Sequence, residues 1–250
     1  MADVSLKETF TLPSKGLIYG TEFNPKITLR SMTTMEEMKR YSKYDTEYKV
    51  MSDILDACIE EKLPISVYDM CIGDYQFLIH KLRTVTLGSE YKMYVQCQNC
   101  GEIVESKVDL DTLTVLEFDA DNLEGREIEL PVSKKKVILS FQTPRMLDII
   151  EERAKALSKK NKDNIDYRFL FLAMSFIKEI DGKEYDSVML ENIVRKLPLR
   201  DVKYIIRKGD ELNGKVGLDT SVVAKCPKCG YEMVTTFRFG PEFWNPSFDD

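Results

Sequence analysis

Apolar residues recur at helical spacing in some stretches of the chain and at strand spacing in others, which divides it into alternating elements. Residues 47–58 carry Val50, Met51, Ile54, Leu55 and Cys58 along one stripe, the mark of an amphipathic helix. Residues 146–157 repeat the pattern with Met146, Leu147, Ile149, Ile150 and Leu157. Acids come early there and lysines late, as the helix dipole favours. Residues 167–180 are apolar nearly all round (Phe169, Leu170, Phe171, Leu172, Met174, Phe176, Ile177) and read as a central core helix. Residues 90–96, 102–108, 218–225 and 231–237 are rich in β-branched and aromatic side chains and read as strands.

The pattern occurs twice. Ile72-Gly73-Asp74-Tyr75-Gln76-Phe77-Leu78-Ile79-His80-Lys81 is echoed 127 positions later by Leu199-Arg200-Asp201-Val202-Lys203-Tyr204-Ile205-Ile206-Arg207-Lys208. Asp74 and Asp201 stand where an N-cap or first-turn acid belongs, ahead of an apolar helix. Upstream, Leu12-Pro13 precedes the strand-like Ile27-Thr28-Leu29, then Thr33-Thr34 and a helix starting near Met35. Leu130-Pro131 precedes Val137-Ile138-Leu139, then Thr143-Pro144 and a helix starting near Arg145. The expectation is an α+β fold of two pseudo-repeated helical lobes, each with a strand-knuckle-strand hairpin, joined through a split zinc ribbon. The implied divisions are an N-terminal arm over 1–26, a first lobe over 27–115, a second over 116–238, and an aromatic tail over 239–250.

The chemistry that changes this picture is cysteine. Cys97-Gln98-Asn99-Cys100-Gly101 and Cys226-Pro227-Lys228-Cys229-Gly230 each interrupt a pair of strand-like runs. A Cys-x-x-Cys turn followed by glycine is a zinc knuckle, which supplies half of a tetrahedral shell. Two knuckles give four thiolates and leave no open position for water or substrate, so the expected cofactor is one structural Zn2+ held by Cys97, Cys100, Cys226 and Cys229. A redox Cys-x-x-Cys normally opens a helix and occurs once, which fits neither motif. Cys58 and Cys71, in apolar helical surroundings, read as small buried residues.

Composition narrows the function. The chain has 250 residues, 43% hydrophobic and 31% charged, with a net charge of −6, an ordinary globular balance. No apolar run reaches the length of a membrane helix, and MADVSLKETF lacks the regions of a signal peptide. Six cysteines, four in metal motifs, suit a reducing cytoplasm. The acidic balance argues against the other occupation of zinc ribbons, a nucleic-acid-binding regulatory protein, which stands as the alternative. Phosphate-binding glycine loops, the G-x-S-x-G turn and the His-x-Glu of zinc deaminases are absent. His80, the one histidine, reads as an exposed or hydrogen-bonded helix residue, so no catalytic residue is expected. Two segments offer partner contacts. Leu17, Ile18 and Tyr19 lie in a turn-rich apolar arm, and Phe243, Trp244 and Phe248 in a proline-bearing aromatic tail whose other reading is folding back over its own core.

The order of these segments resembles a family. Leu12-Pro13-Ser14-Lys15-Gly16-Leu17-Ile18-Tyr19 is followed by Ile27-Thr28-Leu29-Arg30-Ser31-Met32-Thr33-Thr34-Met35-Glu36-Glu37. Then come Asp74-Tyr75-Gln76-Phe77-Leu78, Leu82-Arg83-Thr84 and Leu87-Gly88-Ser89-Glu90-Tyr91 ahead of the first knuckle, and Phe243-Trp244-Asn245-Pro246 near the end. This is similar to the baseplate hub and hub-assembly proteins of contractile-tailed, T-even type bacteriophages. The resemblance implies a non-enzymatic role, as a structural component or an assembly chaperone. It implies other tail and baseplate hub proteins as partners, with no membrane and no small-molecule substrate. It places the chain in the virion tail baseplate, in the host cytoplasm during assembly, or in both.

Overall fold

The computed structural model describes residues 5–20, 22–42, 46–162 and 165–244. The chain begins with an antiparallel hairpin, β1 (Lys7–Thr11) and β2 (Lys26–Arg30), in which Phe10 faces Ile27. Ile59 adds a bridge to Leu29 on the other side of β2. Helix α1 (Thr34–Arg40) starts from a capping box: the Thr33 hydroxyl accepts from the Met35 N–H, and the Glu36 carboxylate accepts from the Thr33 N–H at 2.8 Å. Helix α2 (Glu47–Cys58) follows with the bounds its apolar stripe predicts, and Ile54, Leu55 and Cys58 are fully buried. Next come α3 (Ile72–Leu87) and the long hairpin β3 (Glu90–Gln96) and β4 (Ile103–Asp109).

The second half opens with β5 (Val115–Leu116), the short α4 (Asp121–Glu124) and the hairpin β6 (Glu127–Glu129) and β7 (Lys136–Leu139). Helix α5 (Pro144–Asn161) starts at the Thr143-Pro144 signal, where the Thr143 hydroxyl accepts from the Met146 N–H. The 167–180 stretch departs from its expected single helix. It splits into α6 (Arg168–Ser175) and a strand, β8 (Ile177–Ile180), which lies antiparallel to β7. Ile177 and Ile180 are buried while Lys178 is exposed and Glu179 half-exposed; a register shift at Ile138–Leu139 breaks the regular alternation, so the strand leaves no period of two to set against the apolar run upstream. Helices α7 (Ser187–Lys196) and α8 (Leu199–Asn213) follow, then β9 (Gly217–Leu218), which pairs with β5. The hairpin β10 (Ser221–Lys225) and β11 (Glu232–Thr236) carries the second knuckle. The fold is thus mixed α+β with several hairpins. No helix of the described residues is long and apolar enough to cross a membrane.

Asp74 and Asp201 do occupy the first turns of α3 and α8, but their carboxylates reach outward rather than capping their own helices. Asp74 accepts from the Ser14 N–H at 2.9 Å and the Tyr19 hydroxyl at 2.7 Å. Asp201 accepts from the Val132 and Ser133 N–H groups at 2.8 and 2.9 Å. Each acid thereby holds the turn that follows a Leu-Pro pair, and Lys15 and Lys134 in those turns have φ of 52° and 59°. Both acids are fully buried. Burial raises the pKa of Asp74 above the carboxylate range, against its hydrogen bonds. At Asp201 burial also pushes upward, but the bonds from Ser133 and Val132 outweigh it and hold the group below that range. Asp201 therefore stabilises the fold above the unfolded carboxylate pKa and loses that contribution as pH falls through its lower folded value. Asp74 contributes with the opposite sign, most in acid and less as pH rises. An asparagine at 201 keeps one acceptor oxygen for two N–H donors. Asp201→Asn should cost about 2 kcal/mol in urea denaturation at neutral pH. Asp74→Asn should cost less, because burial works against the Asp74 carboxylate.

Two large cores form around α3 and α8. The first gathers Leu12, Ile27, Leu29, Ile54, Leu78, Leu82 and Tyr91, and the second Phe118, Leu139, Phe171, Phe176, Val202 and Ile205. Parts of the arm and tail are built into them. Leu12 and Ser14 are buried, and the Tyr19 hydroxyl is spent on Asp74 and the Cys71 N–H. Ile18 is half-buried and Leu17 alone of the three is exposed. Phe243 and Trp244 are 0% and 6% exposed, so in this fold they pack inward. Phe243 lies among Tyr91, Phe237, Phe239 and Trp244, with ring centroids 5.1–5.9 Å away. Phe248 lies outside the described residues.

Arg83, fully buried on α3, holds the tail there. Its guanidinium donates to the carbonyls of Gly88, Glu90 (2.8 Å) and Phe243 (3.3 Å), tying the end of α3, the start of β3 and the C-terminal turn together. Methionine keeps the stem and abandons three carbonyls. Arg83→Met should cost about 3 kcal/mol and shift the emission of Trp244, the one tryptophan, to the red as the tail loosens. An unshifted spectrum with unchanged stability would contradict that role.

Candidate metal centre

The two knuckle hairpins converge from opposite ends of the chain. Each knuckle is built by the same backbone bonds: Gly101 N–H donates to Cys97 O and Gly230 N–H to Cys226 O, both at 2.9 Å. Cys97 N–H donates to Glu102 O at 2.7 Å and Cys226 N–H to Tyr231 O at 2.9 Å. Closing such a turn requires a left-handed residue after the second cysteine, and Gly101 and Gly230 supply it with φ of 74° and 73°. Beneath the turns, Val104, Ala224 and Met233 form a third, small core with Cys97 and Cys226. Lys228 on one knuckle reaches Glu102 on the other at 2.6 Å, an exposed pair that aligns more than it stabilises.

The geometry brings together all four cysteines that the motifs single out. Their sulfur atoms lie within 4.8 Å of one another. Cys97 Sγ is 3.7 Å from Cys229 Sγ, and Cys100 Sγ is 3.6 Å from Cys226 Sγ. Four thiolates about 2.3 Å from a tetrahedral zinc ion stand about 3.8 Å apart, so the cluster has the dimensions of that shell. Cys97 and Cys226 are buried and Cys100 and Cys229 exposed, one of each from either hairpin. Backbone N–H groups also point at the outer sulfurs. The Tyr231 N–H and the Asn99 side chain bring the Cys229 thiol down to about 6. The Glu102 N–H pulls Cys100 down too, but the neighbouring thiols outweigh it and leave Cys100 at about 12. Crowded thiols cannot all ionise unaided, and a divalent cation removes that conflict. Among the described residues this is the one cluster of three or more Cys, His, Asp or Glu side chains so placed.

The remaining titratable candidates lie elsewhere. His80 is buried on α3, its Nε2 2.9 Å from Leu110 O, and burial pushes its pKa down to about 4. Cys58 and Cys71 are buried, as expected, and burial raises Cys58 to about 11. Two structural residues escaped the sequence reading. Arg83 interrupts an apolar helix stripe, a placement that signals a buried partner. Tyr19 lies in an arm whose apolar character suggested outward contacts, and only the distant Asp74 reveals its role.

A family model described as T4 bacteriophage base plate protein matches residues 5–244. No curated protein and no solved structure matches the chain.

Proposed function

The chain belongs to the T4 bacteriophage base plate protein family, and on that premise we propose that it serves as a non-enzymatic structural protein of the phage tail, resident in the baseplate hub or acting there as an assembly chaperone. The observation that carries this reading is the extent of the match, from β1 to the C-terminal turn. Its partners on this reading are other tail and hub proteins. Its location is the virion baseplate, or the host cytoplasm while the tail is built.

The cysteine cluster is the fastener of the molecule. We assign it one structural Zn2+, with Cys97, Cys100, Cys226 and Cys229 as the full shell, so that the two hairpins make a split zinc ribbon. Four sulfurs at tetrahedral spacing and the matched knuckle bonds support the assignment. We also read the chain as a duplication, with lobes over 27–115 and 116–238. The matched Asp74 and Asp201 latches and the Thr33 and Thr143 caps favour that reading. Bound zinc supplies a cross-link between the lobes and no chemistry of its own.

Mass spectrometry of purified particles and of the unassembled fraction of a lysate tests the proposal. Presence in particles at the stoichiometry of other baseplate proteins makes the chain a resident part. Presence only in the soluble fraction, bound to tail proteins, makes it a chaperone. Association with neither would overturn the reading.

A further inference from the structure

The four sulfurs are not equivalent, and their arrangement has a chemical consequence. Each exposed sulfur is in contact with a buried sulfur of the opposite hairpin: Cys229 with Cys97 at 3.7 Å, and Cys100 with Cys226 at 3.6 Å. An oxidant from solvent meets an exposed sulfur first, and the thiolate positioned to resolve the product lies across the junction. We propose that a peroxide converts the centre into two disulfides, Cys97–Cys229 and Cys100–Cys226, which release the metal while keeping the two hairpins tied. This rests on the assignment of the cluster as a metal centre.

The chemistry balances with hydrogen peroxide as the oxidant. The Cys229 thiolate attacks one peroxide oxygen, the O–O bond breaks, and hydroxide leaves a sulfenic acid on Sγ. The Cys97 thiolate attacks that sulfur, forms the S–S bond and expels a second hydroxide. Two electrons pass from the sulfurs to one peroxide, and two protons from solvent convert both hydroxides to water. Cys100 and Cys226 consume a second peroxide in the same way. Zinc stays divalent throughout and departs once its ligands are gone. A tail protein leaves a reducing cytoplasm for an oxidising medium at lysis, so the exchange would preserve the lobe junction where thiolates do not last.

The test treats the full, metal-loaded chain with hydrogen peroxide, follows zinc with a chromogenic chelator, and maps disulfides in a non-reducing tryptic digest. Cleavage after Lys225 and Lys228 places Cys226 and Cys229 on separate peptides, and fragment ions distinguish Cys97 from Cys100. The expected result is release of the bound zinc together with the 97–229 and 100–226 links, and recovery of zinc binding after a dithiol reductant. Links within a knuckle, 97–100 and 226–229, would overturn the proposal. So would the 97–226 and 100–229 pairing, oxidation to sulfinic acids without disulfides, or retention of zinc. A chain that purifies without metal defeats the metal assignment itself, an outcome read before any oxidant is added.

Discussion

Replacing Cys226 by serine should strip the metal from the chain and lower its melting temperature by about 15 °C. The size follows from what the site joins. The small core under the knuckles has only Val95, Val104, Ala224 and Met233 besides two of the cysteines, so the knuckle ends of the hairpins depend on the metal, while Tyr91 and Phe237 hold their bases in the first core. Four-thiolate zinc supplies on the order of 10 kcal/mol of apparent folding free energy in small domains. Here the large cores remain folded when it goes, so about half of that should appear as lost stability. Serine also leaves three thiols around a hydroxyl that binds zinc poorly. Cys97→Ser should match Cys226→Ser, since the two positions have the same burial and the same knuckle bonds. Chelation of the wild-type chain should give the same melting temperature as either variant, and Cys58→Ser should keep its metal. Differential scanning calorimetry with elemental analysis reads all four. Full zinc content in Cys226→Ser, with an unchanged transition, would refute a shared site.

How legible the centre was follows from where its information lies. A knuckle is a local turn, so Cys-x-x-Cys-Gly announces its own geometry, and two half-shells can be completed only by each other. The caps at Thr33 and Thr143 are local too, and both helices begin at them. The 167–180 stretch failed for the opposite reason. The run is apolar in sequence even where α6 leaves Phe169 exposed, and an unbroken apolar run carries no period that separates helix from strand. Asp74 and Asp201 were legible as first-turn acids, yet their partners lie far off in sequence at Ser14, Tyr19, Val132 and Ser133, beyond any local pattern. Aromatic composition marks the 239–244 segment as adhesive without giving its direction. Arg83, a buried donor aimed at the Phe243 carbonyl, turns it inward.

The seam between the two large cores gives the second large effect: Gly73→Ala should destabilise the chain by about 4 kcal/mol. Gly73 lies in the first turn of α3, and a β-carbon there would stand 2.2 Å from the carbonyl oxygen of Val216 and 2.7 Å from its carbon. Overpacking usually costs ~1–3 kcal/mol because side chains give way. A backbone carbonyl immediately ahead of β9 cannot give way without moving β9 and its pairing with β5. Next to Val216, Gly217 has φ of 126°, and a β-carbon on it would stand 3.0 Å from the Gly73 Cα. Around this contact the Ile72 N–H donates to the Gln142 carbonyl at 2.8 Å, and Cys71 is buried in the second core. Alanine should therefore part the halves locally, and Cys71 reports it. In Gly73→Ala a pulse of alkylating reagent should label Cys71, while Cys58, deep in the first core, stays protected. Gly209→Ala is the control. Its β-carbon would meet the buried ring of Phe176 at 2.2 Å, inside the second core and not at the Val216 carbonyl, so it should lose stability with less labelling of Cys71 than Gly73→Ala gives. Equal labelling of Cys71 in both variants would mean that the two cores open as one unit, with no separate seam at Gly73.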